Sequence, residues 1–78
     1  MKIEYKKEHF KTFIGDAVMK LDLFLTHQGF ISKDVFNDYT YLWNNNNYTI
    51  IAHIDMVDDE SKYNEIVVDI NVYKKEAF

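Results

Sequence analysis

The 78-residue sequence predicts an α+β fold in which one long amphipathic N-terminal helix lies across a three-stranded antiparallel meander, in the order α-β-β-β. Three observations predict it. Apolar residues between Glu8 and Gln28 recur with a helical period. From Tyr39 onward they recur with a period of two, as in half-buried strands. The segments that separate the alternating runs are short and polar, as turns are. A chain of this length has room for a single domain, residues 1–78, with a modest core.

The helix rests on Phe10, Phe13, Ile14, Ala17, Val18, Leu21, Phe24 and Leu25, spaced 3, 1, 3, 1, 3, 3 and 1, which puts all of them on one stripe. Gly29 follows as a left-handed C-cap, with Phe30 placed to fold back on the last turn. Ile3 extends the stripe, so the helix is expected to begin at about residue 4, although residues 2–6 also alternate like a strand. No Ser, Thr, Asp or Asn stands near residue 7 as an N-cap. Met19 and Leu23 form an i, i+4 pair on the opposite side, which reads either as ordinary isolated surface apolars or as a contact face such as a homodimer seam. Gly15 lies on that side too. A glycine inside a helix costs about 1 kcal/mol relative to alanine, and it permits close approach by another backbone.

Phe30 to Asp38 reads as a connector, with Ser32 capping a single helical turn and Val35 and Phe36 plugging the end of the core. The first strand carries Tyr39, Tyr41 and Trp43 on one face. Asn44 to Asn47 make a loop, and a second strand, Tyr48 to Met56, places Tyr48, Ile50, Ala52, Ile54 and Met56 on one face. An acidic loop runs from Val57 to Asn64. A third strand, Glu65 to Tyr73, places Ile66, Val68, Ile70 and Val72 together, and a charged tail ends the chain. Loop lengths predict that Trp43 faces Tyr48, Tyr41 faces Ile50, Met56 faces Ile66, Ile54 faces Val68 and Ile50 faces Val72. The other face then holds Thr40, Leu42, Thr49, Ile51, His53, Asp55, Val67, Asp69, Asn71 and Tyr73.

Composition narrows the function classes. There is no cysteine, so no disulfide, thiolate metal site or Cys nucleophile is available. Every basic residue is lysine. Arginine's planar fork is the usual tool for phosphate and guanine recognition, and its absence from a chain of net charge −4 argues against direct nucleic-acid binding. No apolar run approaches the roughly 20 residues that span a bilayer, and no secretory leader pattern stands at residues 1–11, so a cytoplasmic protein without a membrane partner is expected.

His53, facing Asp69 with Asp55 two residues along its strand, is the one grouping with ligand or acid–base chemistry. Read plainly, it is a cross-strand polar pair. No nucleophile motif, phosphate-cradling glycine loop or metal signature accompanies it. The chain is therefore expected to be no enzyme, to hold no cofactor and to bind no metal.

The acidity is concentrated late. Asp55, Asp58, Asp59, Glu60 and Glu65 gather at one hairpin, and Tyr63 and Tyr73 are aromatics with a polar tip, suited to interfaces. These seven residues are the expected partner-binding patch. An acidic, aromatic patch fits a basic protein surface, such as that of a nuclease or another nucleic-acid-handling protein. In size, acidity and lack of enzymatic signature the chain looks like small phage or mobile-element inhibitors, the anti-CRISPR and other anti-defence proteins among them. That likeness implies a non-enzymatic, protein-binding inhibitor or regulator in a host cytoplasm. A homo-oligomeric structural or accessory domain joined through Met19 and Leu23, or through an edge strand, is the alternative.

Overall fold

A computed structural model describes residues 4–31, 34–37, 39–59 and 62–75, with the backbone alone at 34, 36, 57–59 and 62–64. A 3-10 helix, Lys7–Phe13, leads through a turn into helix α1, Val18–His27. Strands β1 (Asp34–Asn37), β2 (Thr40–Asn44), β3 (Tyr48–Asp59) and β4 (Lys62–Lys74) follow. β2, β3 and β4 form an antiparallel meander, and β1 adds a short outer strand against β2, so spatial order follows chain order. Part of the segment expected as a connector, Asp34–Asn37, is thus a strand, while Ser32, the expected cap of a helical turn, lies outside the described residues. The Asn37 carboxamide accepts the Tyr39 N–H at 3.0 Å and turns the chain back into β2. Val35, expected in the core, is 61% exposed, and the side chain of Phe36 lies outside what is described.

The single long helix is the main correction. The apolar stripe is real, but Gly15 sits at φ +94, a left-handed conformation that ends a helix. The broken backbone is satisfied by β4. Gly15 N–H donates to the Val67 carbonyl at 2.7 Å, Val67 N–H donates to the Asp16 carbonyl at 2.9 Å, and Ala17 bridges Ile66. Residues 15–17 therefore act as a fragment of strand on the outer edge of β4. On either side of the break the stripe still faces inward: Phe10, Val18, Leu21 and Leu25 are buried, whereas Ile14, at the break itself, is 43% exposed. At the far end the expected cap forms. Gly29, at φ +90, lets Phe30 N–H reach the Leu25 carbonyl (3.0 Å) while Gly29 N–H reaches that of Thr26 (3.1 Å), which returns Phe30 to the core.

The sheet departs from the expected register twice, with different consequences. Between β2 and β3, Trp43 pairs with Ile50 and Tyr41 with Ala52. This slip of two residues leaves every side chain on its expected face, because strand side chains alternate. Between β3 and β4 the expected Ile50–Val72 pair is present, but past His53–Asp69 the register slips by one, so that Ile54 pairs with Val67. Val68 is the extra residue of a β-bulge. The bulge turns Val67 inward, fully buried, and leaves Val68 48% exposed, the reverse of the expectation. Met56, placed in the core by the simple alternation, is 44% exposed opposite Glu65.

The core lies between the helical segments and one face of the sheet, where Trp43, Ile50, Ala52, Val67 and Ile70 are closed from solvent. Trp43 carries a polar group into this layer. Its Nε1–H donates to the Asp22 carboxylate on α1 at 2.8 Å, so one hydrogen bond fixes the helix against the sheet. Tyr5 covers the end of the core, with ring centroids 5.2 Å from Phe30 and 5.3 Å from Tyr48.

Two substitutions test this architecture. An added methyl at Gly15 would meet nothing within 4 Å, so only the dihedral angle resists it. Gly15→Ala should cost about 1–2 kcal/mol, roughly 4–8 °C of melting temperature per kcal/mol in a domain of this size. In an unbroken helix the same change would stabilise by about 1 kcal/mol, so the sign of the shift in a thermal melt followed by circular dichroism decides between the two. Asp22→Ala strands the buried indole N–H and should cost about 1–3 kcal/mol. Asp22→Asn keeps an acceptor oxygen and should recover most of that stability in the same melt; equal losses would show that the hydrogen bond is not the relevant interaction.

Candidate protein-interaction surface

β3 and β4 continue past the rest of the sheet. Pairing of β2 with β3 ends at Thr40–His53, whereas β3 and β4 stay paired to Asp59–Lys62. The segment expected as a loop from Val57 to Asn64 is strand wherever it is described. The result is a two-stranded arm at one end of a molecule that measures 48 × 23 × 18 Å with the arm included.

The arm holds the charge. Of thirteen acids and nine lysines in the chain, five acids and Lys62 lie between Asp55 and Glu65, leaving eight of each elsewhere. The whole formal net charge of −4 therefore belongs to this segment. The opposite end carries Lys6, Lys7 and Lys74 together with Glu4 and Glu8 around an open depression that Tyr5, Tyr48 and Val72 also line. Lys75 Nζ donates to the Asn45 carbonyl there at 2.9 Å. Within the β2–β3 turn the Asn45 carboxamide accepts the N–H groups of Asn47 (2.8 Å) and Tyr48 (2.6 Å), the use of asparagine that its run in the sequence foreshadowed.

Of the seven expected patch residues, Asp55 and Glu65 lie at the root of the arm, both on described positions, and Asp58, Asp59 and Tyr63 occupy strand positions further out. Glu60 lies outside the described residues. Tyr73 is 53% exposed but stands opposite Thr49, near the other end of β4. At about 3.3 Å per residue it is roughly 30 Å from Tyr63 along the strand. Met19 and Leu23 are 72% and 56% exposed on the outer side of α1.

The root of the arm contains a residue that the sequence reading used only as a core aromatic. Tyr41 on β2 reaches across β3 and donates its hydroxyl proton to the Glu65 carboxylate. Ionising Tyr41 would break this bond and set a phenolate beside a carboxylate. Its pKa is accordingly pushed up from 10.0 to about 12, by the hydrogen bond first, then burial, then the Glu65 charge. The one-residue slip at Val68 brings Glu65 opposite Met56 and so onto Tyr41's side of the sheet. Without the bulge in the sequence reading, nothing signalled the pair.

His53 pairs in register with Asp69, as expected, but the groups do not converge. His53 is exposed, with Nδ1 at 3.3 Å from Thr40 Oγ1. Asp69 instead meets Lys7 Nζ at 3.5 Å. Among the described residues no group of three or more His, Asp or Glu side chains is placed to hold a metal ion. His9 accepts the Lys6 N–H at 3.2 Å, and His27 is exposed in the last turn of α1. No helix among the described residues is long and apolar enough to cross a membrane.

The Tyr41–Glu65 bond predicts an alkaline limb. A pKa raised in the folded state contributes stability that is complete below pH 10 and lost as pH rises through about 12. Ultraviolet titration of tyrosinate should show a phase near pH 12 that disappears in Tyr41→Phe, whose stability should fall less between pH 10 and 12. A wild-type titration with no such late phase would contradict the bond. Compared with known proteins, the chain matches no family model, no curated protein and no solved structure.

Proposed function

We propose that the chain is a non-enzymatic protein-binding module whose acidic β3–β4 arm occupies a basic surface of another protein, such as the nucleic-acid-binding surface of a nuclease. The observation that supports this reading is the segregation of the full net charge of −4 onto a projecting hairpin, with the remainder of the chain balanced. A solvated loop that only aids solubility needs no such segregation and no paired framework to hold it. Complementary charge speeds encounter and selects partners more than it adds affinity. Blocking of that surface would make the chain an inhibitor, in the manner of small phage or mobile-element anti-defence proteins.

The test is a tagged pull-down from bacterial lysate at low and moderate salt, run in parallel with wild type and the triple variant Asp58→Lys, Asp59→Lys, Glu60→Lys. The reading expects a stoichiometric, salt-sensitive, nucleic-acid-binding partner on the wild type. It expects that partner to be displaced by added nucleic acid, and its association with the variant to slow by about tenfold or more at low ionic strength. Identical capture by both proteins would overturn it.

A further inference from the structure

We propose that the free edge of β3 within the arm is a strand-addition site for an extended, lysine-bearing segment of a partner protein. This rests on the reading above and specifies how the arm makes contact.

The backbone supplies the site. In an antiparallel ladder the N–H and C=O of one residue point to the same side, and alternate residues share that side. Ile54 turns its N–H outward, to the Tyr39 carbonyl at 2.9 Å. Its partner Val67 turns outward on the opposite edge, to Gly15 and Asp16. Two residues along, Met56 and Glu65 must turn outward in the same way, and then Asp58 and Tyr63. On β4 the chain itself begins to cover this edge, because Ala17 bridges Ile66. On β3 nothing among the described residues lies beside Met56: β2 begins at Thr40 and its last contact is the bond from Ile54 to Tyr39. Among the described residues, no strand occupies the line that a longer β2 would take beside Met56.

The side chains and charges select the occupant. Met56, 44% exposed, and Tyr39, 56% exposed at the end of this line where its carbonyl accepts from Ile54, offer apolar surface to side chains of an incoming strand. A second copy of the arm would bring five acids against five, so the pairing of two like edges that unprotected strands invite is opposed here by charge. A lysine-bearing strand meets opposite charge and the same unpaired groups.

The probe is a blocked octapeptide of alternating lysine and threonine, added to the full chain at low salt and followed by amide NMR. Binding should slow hydrogen exchange of the Met56 amide at least tenfold at saturation. Full N-methylation keeps the peptide's charge and removes its donors, and should weaken binding at least tenfold. Met56→Pro removes an outward donor and no bond of the β3–β4 ladder, and should weaken the unmodified peptide at least tenfold while Met56→Ala stays within threefold. Binding of the N-methylated peptide as tight as the unmodified one, or no binding at all, overturns the proposal. If the N-methylated peptide binds as tightly and that binding is lost on charge reversal at residues 58–60, the acidic arm survives as a contact surface without strand addition. If it is not lost, both readings fall.

Discussion

The structure depends on two backbone hydrogen bonds between Gly15–Asp16 and Val67. They join the only left-handed residue between the helical segments to the strand position next to the bulge, and each irregularity satisfies the other. A continuous helix would leave the Val67 N–H and C=O facing solvent on the edge of β4. A regular β4 would present Val68 instead of Val67 to the core. With both defects present, Val67 is fully buried and its outward polar groups are paired. The 3-10 helix and α1 then each find their own angle on the sheet, and the apolar stripe is used on both sides of the break.

Periodicity explains what could be read from the sequence. The stripe from Phe10 to Leu25, the Gly29 cap with Phe30, and the three long strands are each carried by repeated or strongly biased residues, so local physics specifies them. The two-residue slip beside Trp43 did no harm, since faces are unchanged by an even shift. The Val68 bulge is a single-residue event inside a run, Ile66 to Ile70, that is nearly continuously apolar. Alternation is least informative in such a run. Gly15 falls within the helical period, and the break it makes is fixed by Val67, which is far away in sequence.

The site divides along the same line. That acids gather at one hairpin is a property of composition and was legible. That the hairpin is a paired arm where it is described depends on residues 57–59 and 62–64 continuing the ladder, a tertiary outcome that the acidic residues there disguised. Tyr73 joined the expected patch through its chemistry alone, and its distance along β4 separates it. Tyr41 was legible as an aromatic of the first strand, but its bond to Glu65 crosses an intervening strand and follows from the bulge.

Placing the net charge on one end of a 48 Å body separates its centre of charge from its centre of mass. An external field then exerts a torque as well as a pull. At physiological ionic strength the field of a charged neighbour fades over about 8 Å, so the arm enters it while the lysine-bearing end is still several screening lengths away. Such a molecule would be turned before it is touched, and it would approach a positively charged surface with its acidic end leading and the helices trailing behind.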